Sequence, residues 1–202
     1  MNPRISILVA ALAISTTGMA QTFDFGLQGG LTFPLGGMTD VVGSDPSLSL
    51  GGQMRIGLRG GSALVPRVDY VSFDGTDDSL VPPAKVKETL LSIGVDYNYY
   101  FSRQVGQGFY VGGGLGFLQK EEKYSAPAGY YFLPGEDPSQ TKSRFYVATG
   151  IGAAINKHVS VFGRVQLFFD NQKGEYWNSR RGEYENSYDL STVLTCGVEY
   201  HF

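Results

Sequence analysis

Cysteine is almost missing from this sequence: Cys196 stands alone among 202 residues, which excludes an intramolecular disulfide. Histidine is nearly as scarce, with only His158 and His201, and no Cys/His spacing suits a metal site. Neither a metal nor another cofactor is therefore expected. Surplus charge is lacking as well. Lys and Arg number 16 against 19 Asp and Glu, a net charge of −3 that gives no basic footprint for nucleic acid. After residue 20 no apolar stretch approaches the roughly 20 residues of a membrane-spanning helix. That absence does not touch closed barrels, which satisfy their backbone groups in lipid as helices do.

What the chain has in quantity is 28 Gly, 13 Tyr and 13 Phe, with only 17% charged residues. This mixture suits strands with one greasy and one polar face, whereas a helical bundle would be richer in Ala, Leu, Glu and Lys. The aromatic and β-branched content also argues against disorder. At the N-terminus, Arg4 precedes a predominantly apolar run from Ile5 to Ile14, and Gly18-Met19-Ala20 supplies small residues for a protease. A secretory signal over residues 1–20, cleaved after Ala20, is expected, with the mature domain at 21–202. The run is too short to be an anchor helix. No cysteine follows it closely, so lipoprotein processing is not expected.

From Thr22 onward the chain alternates with period two in eight segments, each long enough for a tilted transmembrane strand of roughly nine to eleven residues. The fourth is the clearest: Leu91, Ile93, Val95, Tyr97 and Tyr99 oppose Ser92, Asp96 and Asn98. The fifth sets Phe109, Val111, Leu115 and Phe117 against Gly112, Gly114 and Gly116, and the seventh sets Val161, Val165, Leu167 and Phe169 against Ser160, Arg164 and Gln166. The third, with Arg67 and Asp69 opposite Val68 and Tyr70, is the least regular, because Pro66 removes a ladder donor. Connections alternate between short turns, such as Gly60-Gly61-Ser62 and Asn156-Lys157-His158, and long loops near 34–47, 74–87, 120–143 and 171–187. Short periplasmic turns and long extracellular loops mark outer-membrane barrels.

The two faces differ in a way that decides between a soluble and a membrane barrel. One face of every segment is nearly uninterrupted Leu, Ile, Val, Phe and Tyr; the other carries glycine and charge. A soluble barrel would turn the greasy face inward and overfill a small interior. Turned outward it meets lipid, so an all-β, transmembrane, eight-stranded antiparallel up-and-down barrel is expected. Aromatics gather at both segment ends, in the manner of interfacial girdles. Tyr99, Tyr100, Phe101, Phe109, Tyr110 and Phe202 fall by the short turns, and Tyr70, Phe73, Phe117, Phe145, Phe168 and Phe169 by the long loops.

This pattern resembles the OmpA/OmpX-type outer-membrane barrels over essentially the whole mature chain. The ending Val198-Glu199-Tyr200-His201-Phe202 resembles their C-terminal signature, so Tyr200 and Phe202 are expected to form the signal taken up by the barrel-assembly machinery. Full-length OmpA-type members carry a peptidoglycan-binding domain; nothing corresponding follows Phe202, and no cell-wall tether is expected. The resemblance implies a monomer of the bacterial outer membrane, in contact with its lipid and lipopolysaccharide.

An eight-stranded barrel has an interior that side chains just fill. Arg55, Arg67, Asp69, Asp96, Arg164 and Glu199 all fall on the inward face, with glycines making room, and are expected to form a charge network that plugs the lumen. A narrow ion path lined by the same charges is the competing reading. In the long loops, Tyr130, Tyr131, Tyr176, Trp177, Arg180 and Arg181 are the residue types favoured at binding hot spots, and they are the candidates for contact with an extracellular ligand or host surface. Arg180 and Arg181 also suit lipopolysaccharide phosphates. His158 and Ser160 have an H-x-S spacing similar to that of PagL-type lipid A deacylases, but His158 falls in a periplasmic turn, away from the outer leaflet. No enzyme is expected. The functional expectation is a structural or surface-interaction barrel, with a small porin-like, OmpW-like channel as the alternative and a lipid A deacylase as a remoter one.

Overall fold

The computed structural model describes residues 22–77, 84–125, 139–178 and 183–202. They form a closed antiparallel barrel of eight strands in which each strand pairs with its neighbours in sequence and the last returns to the first. The strands are β1 (Thr22–Gly36), β2 (Ser47–Gly57), β3 (Ser62–Asp77), β4 (Ala84–Tyr100), β5 (Gly108–Ser125), β6 (Ser139–Ala154), β7 (Val159–Asn178) and β8 (Glu183–His201). A single helical turn, α1 (Thr39–Val42), lies between β1 and β2. The expected signal peptide falls outside the described residues.

Alternation along each strand sends one set of side chains out and the other in. The outward set is the apolar one: Leu27 is 60% exposed, Ile93 56%, Phe117 68% and Ile151 66%. The inward set holds Arg67, Asp96 and Arg164, all buried. This polarity is inverted relative to a soluble protein and matches a lipid-facing exterior. The outward aromatics pair at both rims. Tyr200 meets Phe202 edge-on at 5.3 Å and Tyr99 meets Phe101 at 5.8 Å near the short turns, while Phe117 meets Phe145 at 6.0 Å near the opposite end.

The register fixes how the strands lean. Crossing the ladder from Gly26 through Gln53, Arg67, Gly94, Gly116, Tyr146, Phe168 and Ser191 returns to β1 at Gly36, ten residues beyond the start. A stagger of that size round eight strands tilts them by about 40° to the barrel axis and leaves an interior that side chains fill. Pro66 has the expected effect: the β2–β3 register runs to Gln53–Arg67 and resumes at Ile56–Leu64, skipping the proline. The chain end closes the seam, with the Phe202 amide donating to the Phe25 carbonyl at 2.8 Å.

Two expectations are corrected by this geometry. Tyr100, Tyr110, Phe73 and Phe168 do not join the girdles; they point inward and are buried. Consecutive aromatics such as Phe168 and Phe169 cannot both face lipid on a pleated strand, and only Phe169 does, at 67% exposure. Among the described residues, the stretches expected as long loops begin and end as paired strand. β3 with β4 and β5 with β6 continue in register to Asp77–Ala84 and Lys123–Ser139, and β7 with β8 reaches Asn178–Glu183 past an irregularity between Gln172 and Tyr176.

Candidate functional site

Strand alternation and register bring four of the six expected lumen charges to one place. Asp96 on β4 accepts from Arg164 of β7 twice, from Nε at 3.0 Å and Nη2 at 2.9 Å, and from Arg67 Nη1 of β3 at 2.9 Å. Arg67 also donates from Nε to Asp69 at 2.9 Å and from Nη2 to Gln28 at 2.6 Å, and the Gln28 amide donates to Asp69. Arg164 Nη1 lies 3.7 Å from Asp69, which completes a ring of two guanidiniums and two carboxylates with no net charge. Charged groups survive such burial only when paired and hydrogen-bonded, and every member here is.

Apolar side chains close this layer from both ends. Toward the hairpins lie Met38, Val42, Val71, Phe73, Leu90, Leu118, Tyr146, Phe168 and Val193, so that α1 folds into the mouth. Toward the short turns lie Ala63, Val65, Tyr100, Tyr110 and Phe162, with Val105 of the β4–β5 turn packed on them. The arginines stack on both: the Arg67 guanidinium is 5.8 Å from the Phe162 ring and that of Arg164 is 5.4 Å from the Tyr146 ring. Two cavities of about 20 Å³ each border the layer, one beside Tyr110 and Glu199, the other beside Leu90 and Thr195. Each has room for about one water molecule.

The other two expected members stand apart. Arg55 pairs with Asp24 at 2.9 Å, near the short-turn end, where Asp24 is partly open to solvent. Glu199 lies 3.4 Å from the Tyr110 hydroxyl and 3.4 Å from His201 Nε2. Their alternation was visible in the sequence, but their depth depends on the stagger, which it does not encode locally. A further group was missed: Lys120 on β5 lies 2.8 Å from Glu122 and 3.4 Å from Glu88 of β4, all inside the hairpin end of the barrel. These residues stay in phase with Leu118 and Leu90, but a long loop expected over 120–143 removes Lys120 and Glu122 from the strand pattern.

The glycines act as sockets. A Cβ on Gly94 or Gly116 would meet the Tyr146 ring, and one on Gly152 would meet Tyr110, so the wall is bare where a tyrosine crosses the lumen. His158 is placed at the rim, its Nδ1 at 2.9 Å from the His201 carbonyl and its ring stacked 6.0 Å from Tyr200, whereas Ser160 points into the barrel and is buried. Tyr130, Tyr131, Arg180 and Arg181 lie outside the described residues. Tyr176 and Trp177 take places in the β7–β8 ladder, opposite Glu185 and Tyr184.

Fold and lumen together define a membrane-spanning barrel of the bacterial outer membrane. The chain belongs to the outer membrane protein beta-barrel domain family, whose model matches residues 6–202. No curated protein sequence matches it. Among solved structures, it is similar in fold to Ail, the attachment invasion locus protein of Yersinia pestis, at a TM-score of 0.55 and 9% identity, covering 89% of this chain and 97% of that one. OprG from Pseudomonas aeruginosa is similar at a TM-score of 0.51 and 15% identity, covering 91% and 98% respectively. Neisserial surface protein A is similar at a TM-score of 0.50 and 17% identity, covering 89% and 97%.

Proposed function

We propose that this chain is a plugged barrel with a structural and surface-interaction role rather than a pore. One observation carries the reading: the Arg67–Asp69–Asp96–Arg164 layer fills the lumen between two apolar layers, leaving about 20 Å³ of space on either side. A hydrated ion would have to cross both apolar layers and break paired charges. The reading is non-enzymatic, and the engagement of His158 by the His201 carbonyl supports it. The parts left for partners are the paired hairpins on the extracellular side. Ail has been solved with the heparin analogue sucrose octasulfate. A comparable contact with an extracellular ligand or host surface is proposed for the hairpins here, and it rests on their extension rather than on that likeness.

Planar-bilayer conductance tests the plug. Refolded barrel whose gel mobility changes on boiling is expected to insert without current steps. Reproducible, uniform steps from the same material would replace this reading with that of a small channel.

A further inference from the structure

A furrow of about 490 Å³ lies on the lipid-facing wall at the short-turn end, across β5, β6 and β7. The outward column changes size here. Ala153 on β6 is flanked in register by Phe109 of β5 and Val161 of β7, and Ile151 above it is paired with Gly163. Small residues keep the furrow open, while Phe101 and Phe109, 61% and 73% exposed, border it. Its lining is apolar and lies within the membrane-facing band, so a hydrocarbon chain fits it.

The lower end of the furrow falls between two turns that carry charge of one sign. Phe101 and Phe109 flank the β4–β5 turn, which holds Arg103; Ala153 and Val161 flank the β6–β7 turn, which holds Lys157. Both cations are exposed, and among the described residues neither has an ion-pair partner. No carboxylate occurs in either turn, and the β2–β3 turn carries Arg59 without one as well. The carboxylates of this end are placed elsewhere. Asp24 is bonded to Arg55, Glu199 is buried beside Tyr110 and His201, and the Phe202 terminus is at the β8–β1 seam. Arg103 is also the one described non-glycine residue in the left-handed region, with φ of 59°. The Gly61 backbone packs against it, and the Tyr100 amide donates to the Gly61 carbonyl at 2.8 Å. A long side chain in that conformation carries strain that glycine or asparagine would avoid, a mark of positions kept for binding.

Bulk lipid wets the whole outer wall, but only here does a chain-sized furrow end at uncompensated cations. We propose that the furrow is a site for an anionic phospholipid of the periplasmic leaflet. One acyl chain lies over Ala153 and Gly163, and the headgroup phosphate sits between Arg103 and Lys157. A zwitterionic phospholipid brings its own ammonium, so the two cations favour a headgroup with net negative charge. The proposal rests on the membrane placement and not on the plugged lumen, so either can fail without the other.

Native mass spectrometry of the refolded barrel in detergent, titrated with phosphatidylglycerol and with phosphatidylethanolamine of the same acyl chains, tests it. The wild type is expected to bind phosphatidylglycerol about tenfold more tightly. R103Q/K157Q, checked for a heat-modifiable gel shift, is expected to lose that preference. K85Q/K87Q, which removes two exposed charges at the hairpin end, is expected to keep it. Gly163→Leu fills the furrow and leaves both cations in place. A Cβ there meets nothing nearer than the Cys196 Sγ at 4.0 Å, and Ala153→Leu repeats the test from β6. Each is expected to weaken the binding of both lipids by about tenfold. Equal binding of the two lipids by the wild type, or a preference that survives R103Q/K157Q, overturns the headgroup site. Unchanged binding by both furrow variants overturns the seat of the acyl chain. Glycerol phosphate binding as tightly as phosphatidylglycerol overturns the lipid source and leaves a soluble phosphate as the ligand.

Discussion

Asp96→Ala is expected to destabilise the folded barrel by about 3–5 kcal/mol, because it leaves two buried guanidiniums facing each other without their shared carboxylate. Asp96 receives three charge-assisted bonds, two from Arg164 and one from Arg67, and its side chain is 8% exposed. Asp69 reaches both arginines but cannot neutralise them alone. The comparison is Asp24→Ala, which removes a carboxylate that is 30% exposed and serves one guanidinium rather than two, although the Arg55 side chain it leaves is itself only 4% exposed. A smaller loss of about 1–3 kcal/mol is expected there. Equilibrium urea unfolding in lipid vesicles, followed by the heat-modifiable gel shift, measures both. If Asp96→Ala costs no more than Asp24→Ala, the layer is not the structural centre assigned to it.

The second large effect is at the seam where β8 closes on β1. Gly30 and Gly197 face each other in the register, and a Cβ on Gly30 would fall 2.8 Å from the Gly197 Cα and closer still to the Cys196 carbonyl oxygen. Both obstacles are backbone, so no side-chain rotation relieves them. Gly30→Val is expected to cost about 3 kcal/mol or more and to reduce the yield of closed barrel severely. Gly52→Ala is the control: on β2 the added methyl meets nothing nearer than 4.0 Å, and a change within about 0.5 kcal/mol is expected. Refolding yield by gel shift separates the two. A Gly30→Val chain that folds as fully as Gly52→Ala would mean that the seam opens to admit a side chain.

The features legible in the sequence were those set by alternation alone. Strand number, the outward apolar face and the inward placement of Arg67, Asp96 and Arg164 all follow from period two, and the short turns follow from glycine and asparagine between segments. Depth was not legible. Whether Arg55 or Lys120 shares a level with Arg67 depends on the ten-residue stagger. That quantity accumulates strand by strand from turn geometry and has no local signature. Segment ends failed for a related reason. Charged residues such as Lys120, Glu122 and Lys87 signal a loop when hydropathy is the guide, yet they sit on strands that continue past the apolar band. Hydropathy marks where the membrane stops, whereas hydrogen bonding marks where the strand stops, and here the two do not coincide. Aromatic doublets misled in the opposite direction, since Tyr110 beside Phe109 and Phe168 beside Phe169 each send one ring to lipid and one to the lumen.

That mismatch of lengths gives the molecule a height. β7 has 20 residues, and at about 3.3 Å per residue and a tilt of about 40° it rises roughly 50 Å, twice the apolar band of about 25 Å. The β7–β8 pair therefore stands like a mast some 25 Å clear of the lipid. A large partner, such as a protein too bulky to settle among crowded sugars, meets the top of that mast before it meets the membrane. Because the mast is already paired on both sides of the irregularity between Gln172 and Tyr176, grasping it orders less chain than grasping a loose loop of the same reach.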